Sequence, residues 1–328
     1  MERGLELVDR MLAGDRLALA RLITLVENRS PLVPEIMRRI HPRTGRAYTI
    51  GVTGPPGAGK STLVDALTAG LRKTGASVGV IAVDPTSPFS GGAVLGDRIR
   101  MQAHTLDSGV FIRSMATRGS MGGLARATAS VQKLLDAFGK AWVLVETVGV
   151  GQTELDVMKL ADSTVVVLVP ESGDAIQTMK AGLLEIADIF VVNKADREGA
   201  QSLVTELRYM AHLHKSGQQA SRELDWDVPV LATVAATGGG VEELLAEIER
   251  HRAALTGSGV LERRRQARRA RELKDLVVAE LRREVDEALA DGGPLGPLLA
   301  EVEAGRVDPY TAIGEILDRV RLLGKADR

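Results

Sequence analysis

The chain has 328 residues, 42 lysines and arginines against 43 aspartates and glutamates, and no cysteine. A formal charge of −1 gives the molecule no general attraction to nucleic acid or to an anionic membrane, and the absence of cysteine excludes disulfides and thiolate metal sites. No apolar run approaches the roughly 18 residues of a membrane span, and the charged start lacks the apolar stretch of a signal peptide. We therefore expect a cytoplasmic protein that binds neither nucleic acid nor membrane.

Three segments follow one another along the sequence. Residues 1–45 show helical apolar spacing and predict a helical N-terminal extension. Residues 46–255 alternate strand and helix signals, which predicts an α/β domain whose mostly parallel sheet is covered by helices. Residues 256–328 are helical again and predict a C-terminal helical arm. The predicted strands are 48–53, 78–83, 109–113, 141–146, 164–169, 188–192 and 229–233.

The pattern G-x-x-x-x-G-K-[ST] lies between the first predicted strand and a predicted helix, which indicates a P-loop NTPase. The backbone N–H groups of such a loop surround a β-phosphate at a helix N-terminus. Lys60 is expected to reach the β- and γ-phosphates, and the hydroxyl of Ser61 to bind Mg²⁺. The residues expected to bind the nucleotide here are Gly54, Pro55, Pro56, Gly57, Ala58, Gly59, Lys60, Ser61 and Thr62.

A second motif indicates which nucleotide binds. Asn193, Lys194 and Asp196 form the pattern Asn-Lys-x-Asp directly after a buried strand, at the edge where an open α/β sheet binds ligands. The carboxylate of Asp196 can accept two hydrogen bonds from guanine, whereas adenine would leave it badly paired. Asn193 and Lys194 are expected to brace the loop and cover the base. The motif therefore favours GTP and GDP over adenine nucleotides.

Acidic residues follow two further predicted strands. Asp84 ends the strand at 78–83, a turn-rich loop leads from it to Asp97, and Glu146 ends the strand at 141–146. Each acid alone fits either a Mg²⁺ site or a helix N-cap or solvent-facing charge. Because all three fall near the sheet edge that carries the P-loop, we expect them to serve Mg²⁺.

The segments Gly54–Thr62, Asp84–Gly92, Leu95–Met101, Glu146–Gln152 and Asn193–Asp196 occur in this order. Together they resemble the MeaB/ArgK/MMAA family of GTPases, chaperones of adenosylcobalamin-dependent acyl-CoA mutases, chiefly methylmalonyl-CoA mutase. The resemblance covers most of the chain. It implies GTP hydrolysis with Mg²⁺ near Ser61, Asp84, Asp97 and Glu146, and a mutase as the partner.

The resemblance also bears on further loop positions. It implies a partner-responsive segment that ends near Gln177 and Lys180. Lys180 is either needed when a mutase stimulates hydrolysis or is a surface charge on a helix. Gln152 either orders the attacking water or is a polar loop residue without an assigned role. The last base-binding loop departs from the family's Ser-Ala-x pattern, so a hydroxyl contribution is lost while a backbone N–H can still contact guanine. The matching positions are Val234, Ala235 and Ala236.

The predicted arm carries an apolar stripe at helical spacing that could pack on its own domain or on a second chain. The resemblance favours a homodimer. The basic run at 263–271 fits either a contact with an acidic partner or the solvated face of a long helix. The stripe consists of Leu273, Leu276, Val277, Leu281, Val285 and Leu289.

Other function classes account for fewer of these residues. A metal-delivery GTPase shares the fold type, but such proteins usually display Cys or His clusters, and the five histidines here are scattered apart from one His-x-His. A small-molecule kinase, or a P-loop ATPase linked to amino-acid transport, would explain the P-loop and leave Asn193–Asp196 without a role. A purely structural binding module would leave the acidic residues unexplained.

Overall fold

The computed structural model describes residues 2–84, 104, 106–116, 121–147, 158–170, 184–217, 223–290 and 292–326. They fall into two compact units, Met1–Arg264 and Arg265–Arg328. The predicted domain limits near residues 45 and 255 stay predictions.

The first unit is built on a single seven-stranded sheet with the strand order β3-β2-β4-β1-β5-β6-β7. All its neighbouring strands pair in parallel, so their carboxyl ends meet at one edge. All seven predicted strands are present, which confirms the predicted fold class. Their bounds are Tyr48–Thr53 (β1), Val78–Asp84 (β2), Val110–Ala116 (β3), Trp142–Glu146 (β4), Ser163–Leu168 (β5), Ile189–Asn193 (β6) and Val230–Thr233 (β7).

Helices precede the sheet, connect its strands and continue after it. Within the described residues, none of them is long and apolar enough to cross a membrane. A short 3₁₀ helix, His41–Arg43, leads into β1. The α-helices are Glu2–Leu12 (α1), Arg16–Glu27 (α2), Val33–Ile40 (α3), Lys60–Lys73 (α4), Met121–Ala137 (α5), Leu184–Ile186 (α6), Ala200–Gly217 (α7), Val241–Gly257 (α8), Val260–Leu289 (α9), Gly296–Glu303 (α10) and Pro309–Ala326 (α11).

Helices cover both faces of the sheet, which explains why several of its strands are continuous apolar runs. Side chains alternate along a strand, so β4 sends Trp142 and Leu144 to one core, and Val143 and Val145 to another. The first core also holds residues of α4 and α8, and the second holds residues of α1, α2, α3 and α5. A smaller core lies between α7 and strands β5 and β6.

The N-terminal helices are part of the cover of the sheet. Val8, Met11 and Leu22 are fully buried in the same core as Ile81 of β2. The chain that leads from these helices to β1 is fastened by Asp136, whose carboxylate accepts a hydrogen bond from the backbone N–H of Ala47 at 2.9 Å. The extension inferred from helical spacing therefore shares its core with the sheet.

The second unit comprises the later part of α9 together with α10 and α11. Leu295, Leu298 and Ala312 are its buried apolar residues among those described. In contrast, four residues of the predicted stripe on α9 are about half exposed or more. They are Leu273, Leu276, Val277 and Leu281.

Candidate functional site

The residues predicted to bind nucleotide come together at the carboxyl edge of the sheet. The P-loop follows β1, which lies centrally between β4 and β5. Glu146 at the end of β4 is level with Val52 of β1, one residue before that strand ends. Asn193 ends β6 and pairs in register with Thr233 at the end of β7. The parallel topology therefore places separate motifs around one loop, where open α/β sheets bind their ligands.

Two glycines of the P-loop are required by its geometry. Gly54 has a φ of +142°, and a Cβ on it would lie 2.0 Å from the backbone oxygen of Val167 in β5. Gly59 has a φ of +85°, and its Cβ would lie 2.4 Å from the side-chain nitrogen of Asn193. The loop can turn this tightly against its neighbours only because these positions carry no side chain.

The side chain of Lys60 is held inside the loop. It is 6% exposed, and its Nζ donates to the backbone oxygens of Gly54 at 2.8 Å and Pro55 at 3.0 Å. These contacts curl the lysine back over the start of the loop. The ammonium group therefore lies beside the backbone that would surround phosphate groups.

Ser61 and Glu146 meet beside this lysine. The Ser61 hydroxyl donates to Glu146 Oε1 at 2.5 Å, and both residues are buried. One comes from the first turn of α4 and the other from the end of β4, so the contact depends on the pairing of β1 with β4. A hydroxyl and a carboxylate form an oxygen donor set, which suits a hard cation such as Mg²⁺.

Asn193 connects three loops of the site. Its Nδ2 donates to the backbone oxygen of Ala58 in the P-loop at 2.9 Å. Its Oδ1 accepts hydrogen bonds from the Thr233 hydroxyl and from the backbone N–H of Ala235, each at 3.1 Å. Ala58 and Asn193 are 135 residues apart, and no spacing rule in the sequence pointed to this contact. It ties the phosphate loop to the loop expected to hold the base.

The rest of the Asn-Lys-x-Asp motif projects from this fixed point. Lys194 has a φ of +57°, which few non-glycine residues adopt and which turns the chain sharply after β6. The backbone N–H of Ala195 donates to the oxygen of Thr233 at 2.9 Å. Asp196, two residues later, is exposed. Its carboxylate is thus held on a constrained turn at the open side of the site.

The loop after β7 has donors with different roles. The N–H of Ala235 bonds to Asn193, and the N–H of Val234 bonds to the oxygen of Gly239 at 2.8 Å. Of the three positions predicted for this loop, Ala236 is the exposed one.

The remaining predicted site residues lie partly or wholly outside the description. The backbone of Asp84 ends β2, two residues beyond the position paired with Glu146, while its side chain lies outside the described residues. Asp97, Gln152 and Lys180 also lie outside them. Within the described part of the chain, no group of three or more His, Asp or Glu residues is arranged to hold a metal ion.

A buried polar network lies at the opposite edge of the sheet. The Ser163 hydroxyl is 2.7 Å from His251 Nδ1 and 2.6 Å from the Tyr48 hydroxyl. His251 Nε2 lies 3.4 Å from Asp188, whose pKa is raised by burial, while burial lowers the pKa of His251. The order Ser–His–Asp resembles a hydrolase triad, but Ser163 and His251 are fully buried and inaccessible to a substrate. This network is structural and joins β1, β5, β6 and α8.

Known proteins resemble the chain over most of its length. A Pyrococcus abyssi protein that carries the name GTPase is 53% identical to this chain, over 96% of both chains. GTPase ArgK of Escherichia coli is 37% identical over 80% of both. The Caenorhabditis elegans mitochondrial methylmalonic aciduria type A homolog is 34% identical, over 80% of this chain and 69% of that protein.

A solved structure and a family model extend these matches. The crystal structure of a LAO/AO transport system kinase has a TM-score of 0.67 and 29% identity, and covers 97% of both chains. Residues 19–290 match the model of the family described as methylmalonyl Co-A mutase-associated GTPase MeaB. These matches confirm the resemblance carried by the motifs. The chain is a GTPase and belongs to the MeaB family.

Proposed function

We propose that this GTPase is a cytoplasmic chaperone that binds an adenosylcobalamin-dependent acyl-CoA mutase, chiefly methylmalonyl-CoA mutase, and gates its cofactor loading or protection. The observation that carries the proposal is the family match over residues 19–290, because the family is described by its association with that mutase. The name of the C. elegans relative, methylmalonic aciduria type A homolog, supports the same partner.

The physical argument rests on linkage between nucleotide and partner. Hydrolysis of GTP by water is useful to a partner only if the GTP and GDP states bind that partner with different affinity. If GTP strengthens mutase binding, the mutase must strengthen GTP binding by the same factor. The mutase therefore changes the affinity of the protein for GTP, and the bound nucleotide changes the affinity of the protein for the mutase.

The nucleotide site supports this activity through preorganised charge. Lys60 is already held against the loop by Gly54 and Pro55, so little rearrangement is needed when it meets the β- and γ-phosphates. The N–H groups of residues 57–62 and the N-terminus of α4 supply further positive potential. Phosphoryl transfer depends mostly on positioning and electrostatics, which this loop provides.

Ser61 and Glu146 are the described residues that fit a Mg²⁺ ion, with Asp84 and Asp97 as further candidates. When bound, Mg²⁺ would neutralise charge on the phosphate oxygens. The 2.5 Å contact from Ser61 to Glu146 orients the hydroxyl and keeps the carboxylate beside it. Gln152 is the candidate for ordering the attacking water.

The base site is proposed to consist of Asp196, Lys194 and the loop after β7. Asp196 would accept from the guanine N1–H and exocyclic amine, and the Ala236 N–H would donate to the guanine oxygen. Asn193 acts through its hydrogen bonds to Ala58 and Thr233. These bonds fix the distance between the P-loop and the loop that would hold the base.

The protein is further proposed to be a homodimer through the exposed stripe on α9. Leu276 and Leu281 are 50% and 52% exposed, and such a contiguous apolar face on a charged helix suits a second copy. In the full-length protein, Leu276→Glu with Leu281→Glu should yield a monomer by light scattering, whereas Gln266→Glu on the same helix should not. A dimer that persists in the Leu variant would refute this interface.

The decisive experiment compares GTP and ATP turnover, alone and with a purified acyl-CoA mutase from the same source. We expect GTP hydrolysis to accelerate with mutase and ATP to be a poor substrate. Lys180→Ala should bring the ratio of stimulated to unstimulated rates close to one, while Lys73→Ala, an exposed lysine on α4, should leave that ratio unchanged.

Other results would point to the other function classes. A rate that no mutase changes would count against the chaperone role. Phosphate transfer from ATP to a small molecule or protein would favour a kinase. Stimulation by a divalent transition metal, together with release of that metal on hydrolysis, would favour metal delivery.

A further inference from the structure

Asp65 and His104 form a contact beside the nucleotide site that no motif indicates. Asp65 lies on α4, four residues after Ser61, and therefore on the same face of the helix one turn later. His104 Nε2 lies 3.3 Å from Asp65 Oδ1 and 3.3 Å from the Asp65 backbone oxygen. Both neighbours are acceptors, so a proton on Nε2 can be donated to either of them. The histidine is 9% exposed.

The contact joins the P-loop helix to the connection between β2 and β3. This connection begins after Asp84, a candidate Mg²⁺ ligand, and returns to described structure at His104 before β3 begins at Val110. The N–H of a helical residue bonds to the oxygen four residues earlier, so Asp65 is linked through one helical turn to Ser61. His104 thus contacts the helix one turn after Ser61, the residue expected to bind Mg²⁺.

The arrangement is poorly suited to stabilising the fold. Asp65 Oδ1 is buried and lacks a hydrogen bond of good geometry to any of the described residues. Burial raises the pKa of the Asp65 carboxyl, and the nearby His104 opposes this only in part. The Asp65 side chain is 32% exposed, but its buried Oδ1 atom has only a weak partner, which costs free energy that a leucine at this position would not. Such local costs are characteristic of functional positions.

A second contact between the same two elements shows what a purely structural link looks like. Arg72, two turns further along α4, donates to both oxygens of Asp107 at 2.7 and 3.0 Å. The Asp107 carboxylate also accepts a hydrogen bond from the backbone N–H of Gly109 at 2.7 Å. The bond from Arg72 is the main cause that lowers the pKa of Asp107. This well-paired link already holds the connection to the far end of the helix. The Asp65–His104 contact adds a link at the end near the nucleotide.

We propose that Asp65 and His104 are positioning residues for GTP hydrolysis, whose contact sets where the β2–β3 connection rejoins the P-loop helix beside Ser61. The inference rests on the GTPase activity of the family and is independent of the mutase partner. Neither side chain is placed to touch the nucleotide, so they act on hydrolysis through the first turn of α4.

The proposal predicts a change in kcat with little change in KM. Binding of GTP is distributed over the loop amides, Lys60 and the base loop, and these do not depend on the pair. Hydrolysis requires the attacking and leaving groups to be aligned, and a misplacement of about 1 Å can lower the rate up to a hundredfold. We expect Asp65→Leu to lower the unstimulated kcat about tenfold, with KM for GTP within about twofold.

The test uses the full chain without mutase and measures kcat, KM and denaturant unfolding for each variant. Asp65→Leu should lower kcat while leaving the midpoint of unfolding unchanged or raised. His104→Leu also removes the contact with the Asp65 backbone oxygen, so it should lower kcat at least as far. The double variant should fall no further than His104→Leu, since both changes remove the contact between the ring and the carboxylate. His104→Gln, which keeps an N–H near the position of Nε2, should restore most of the rate. Asp65→Ala replaces Asp65→Leu if the leucine variant does not fold, because alanine also lacks the acceptor oxygen.

Arg72→Gln is the matched control, because it loosens the same connection at the other end of the same helix. It should lower the midpoint of unfolding and leave kcat within about twofold, since its contact is remote from the loop. The proposal is overturned if Asp65→Leu, or Asp65→Ala in its place, retains the full kcat, or if Arg72→Gln lowers kcat equally. Independent, multiplicative losses in the double variant, or no rescue by His104→Gln, would overturn it as well.

Discussion

The Ser61 hydroxyl donates to Glu146 Oε1 at 2.5 Å, although the two residues are 85 positions apart in the chain. The contact exists because β1 and β4 are neighbours in register, which brings the strand end at Glu146 beside the first turn of the P-loop helix. Both side chains are buried, so changes here are transmitted to the nucleotide site with little screening by water.

Glu146→Gln tests the assignment of this pair to Mg²⁺. The amide keeps the size and the hydrogen bond to Ser61 but removes the negative charge that attracts a cation. We expect the Mg²⁺ concentration needed for half-maximal GTP hydrolysis, and for tight GDP binding, to rise roughly tenfold or more. Titration of Mg²⁺ against both readouts checks this. Unchanged Mg²⁺ dependence would remove Glu146 from the metal site.

Asp196→Asn tests the base site. The change replaces one of two acceptor oxygens with a donor, so GTP affinity should fall by roughly 10- to 100-fold and xanthosine triphosphate should gain. Because Asp196 is exposed, unfolding stability should stay the same. The affinities of GTP and xanthosine triphosphate are measured for the wild type and for Asp196→Asn. Unaltered GTP binding in the variant would exclude Asp196 from base recognition.

Asn193→Ala should behave differently from Asp196→Asn. It leaves the Ala58 oxygen, the Thr233 hydroxyl and the Ala235 N–H without their bonds to this side chain. We expect unfolding to become easier by about 1–3 kcal/mol and every nucleotide to bind more weakly, without a change in base preference. Denaturant unfolding and competition between guanine and xanthine nucleotides measure the two effects. A selective loss of guanine would argue that Asn193 reads the base directly.

Gly54→Ala and Gly57→Ala separate crowding from backbone strain in the P-loop. Both glycines have positive φ, but a Cβ on Gly54 meets the oxygen of Val167 at 2.0 Å, whereas one on Gly57 meets nothing within 4 Å. We expect Gly57→Ala to cost about 1–2 kcal/mol of stability from strain alone. Gly54→Ala should cost clearly more and abolish GTP binding. Equal thermal unfolding of the two variants would contradict the crowding at Gly54.

Lys140→Met tests a buried charge away from the site. Lys140 donates to the oxygen of Gly109 at 2.8 Å, and burial, with help from Arg16 and Arg72, lowers its pKa from 10.5 to about 8. Between pH 8 and 10.5 the unfolded chain binds more protons at this lysine than the folded chain does, so stability rises with pH over that range. Below about pH 8 the lysine is protonated in both states, and its contribution to stability no longer changes with pH. Unfolding across pH 7–10.5 should show a smaller rise in the variant. An identical slope would mean that Lys140 is not titrating abnormally.

Local patterns in the sequence determined the elements and the chemistry of this protein. The strands were recognisable because they are short and mostly apolar, as expected for a sheet that is covered on both faces. The P-loop and the Asn-Lys-x-Asp motif were recognisable because a phosphate and a guanine each require particular groups on a few consecutive residues. The family followed from these motifs and their order.

The tertiary structure decided the contacts between those pieces. Strand order places Glu146 against Ser61, and the side chain of Asn193 reaches Ala58 over 135 residues, neither of which a local pattern encodes. The same holds for the N-terminal helices, whose apolar stripe could have packed on itself but lies in one core with Ile81. It also holds for Asp65 and His104, which belong to no motif. Pairings between distant segments depend on which buried surfaces fit together, and that is a property of the whole chain.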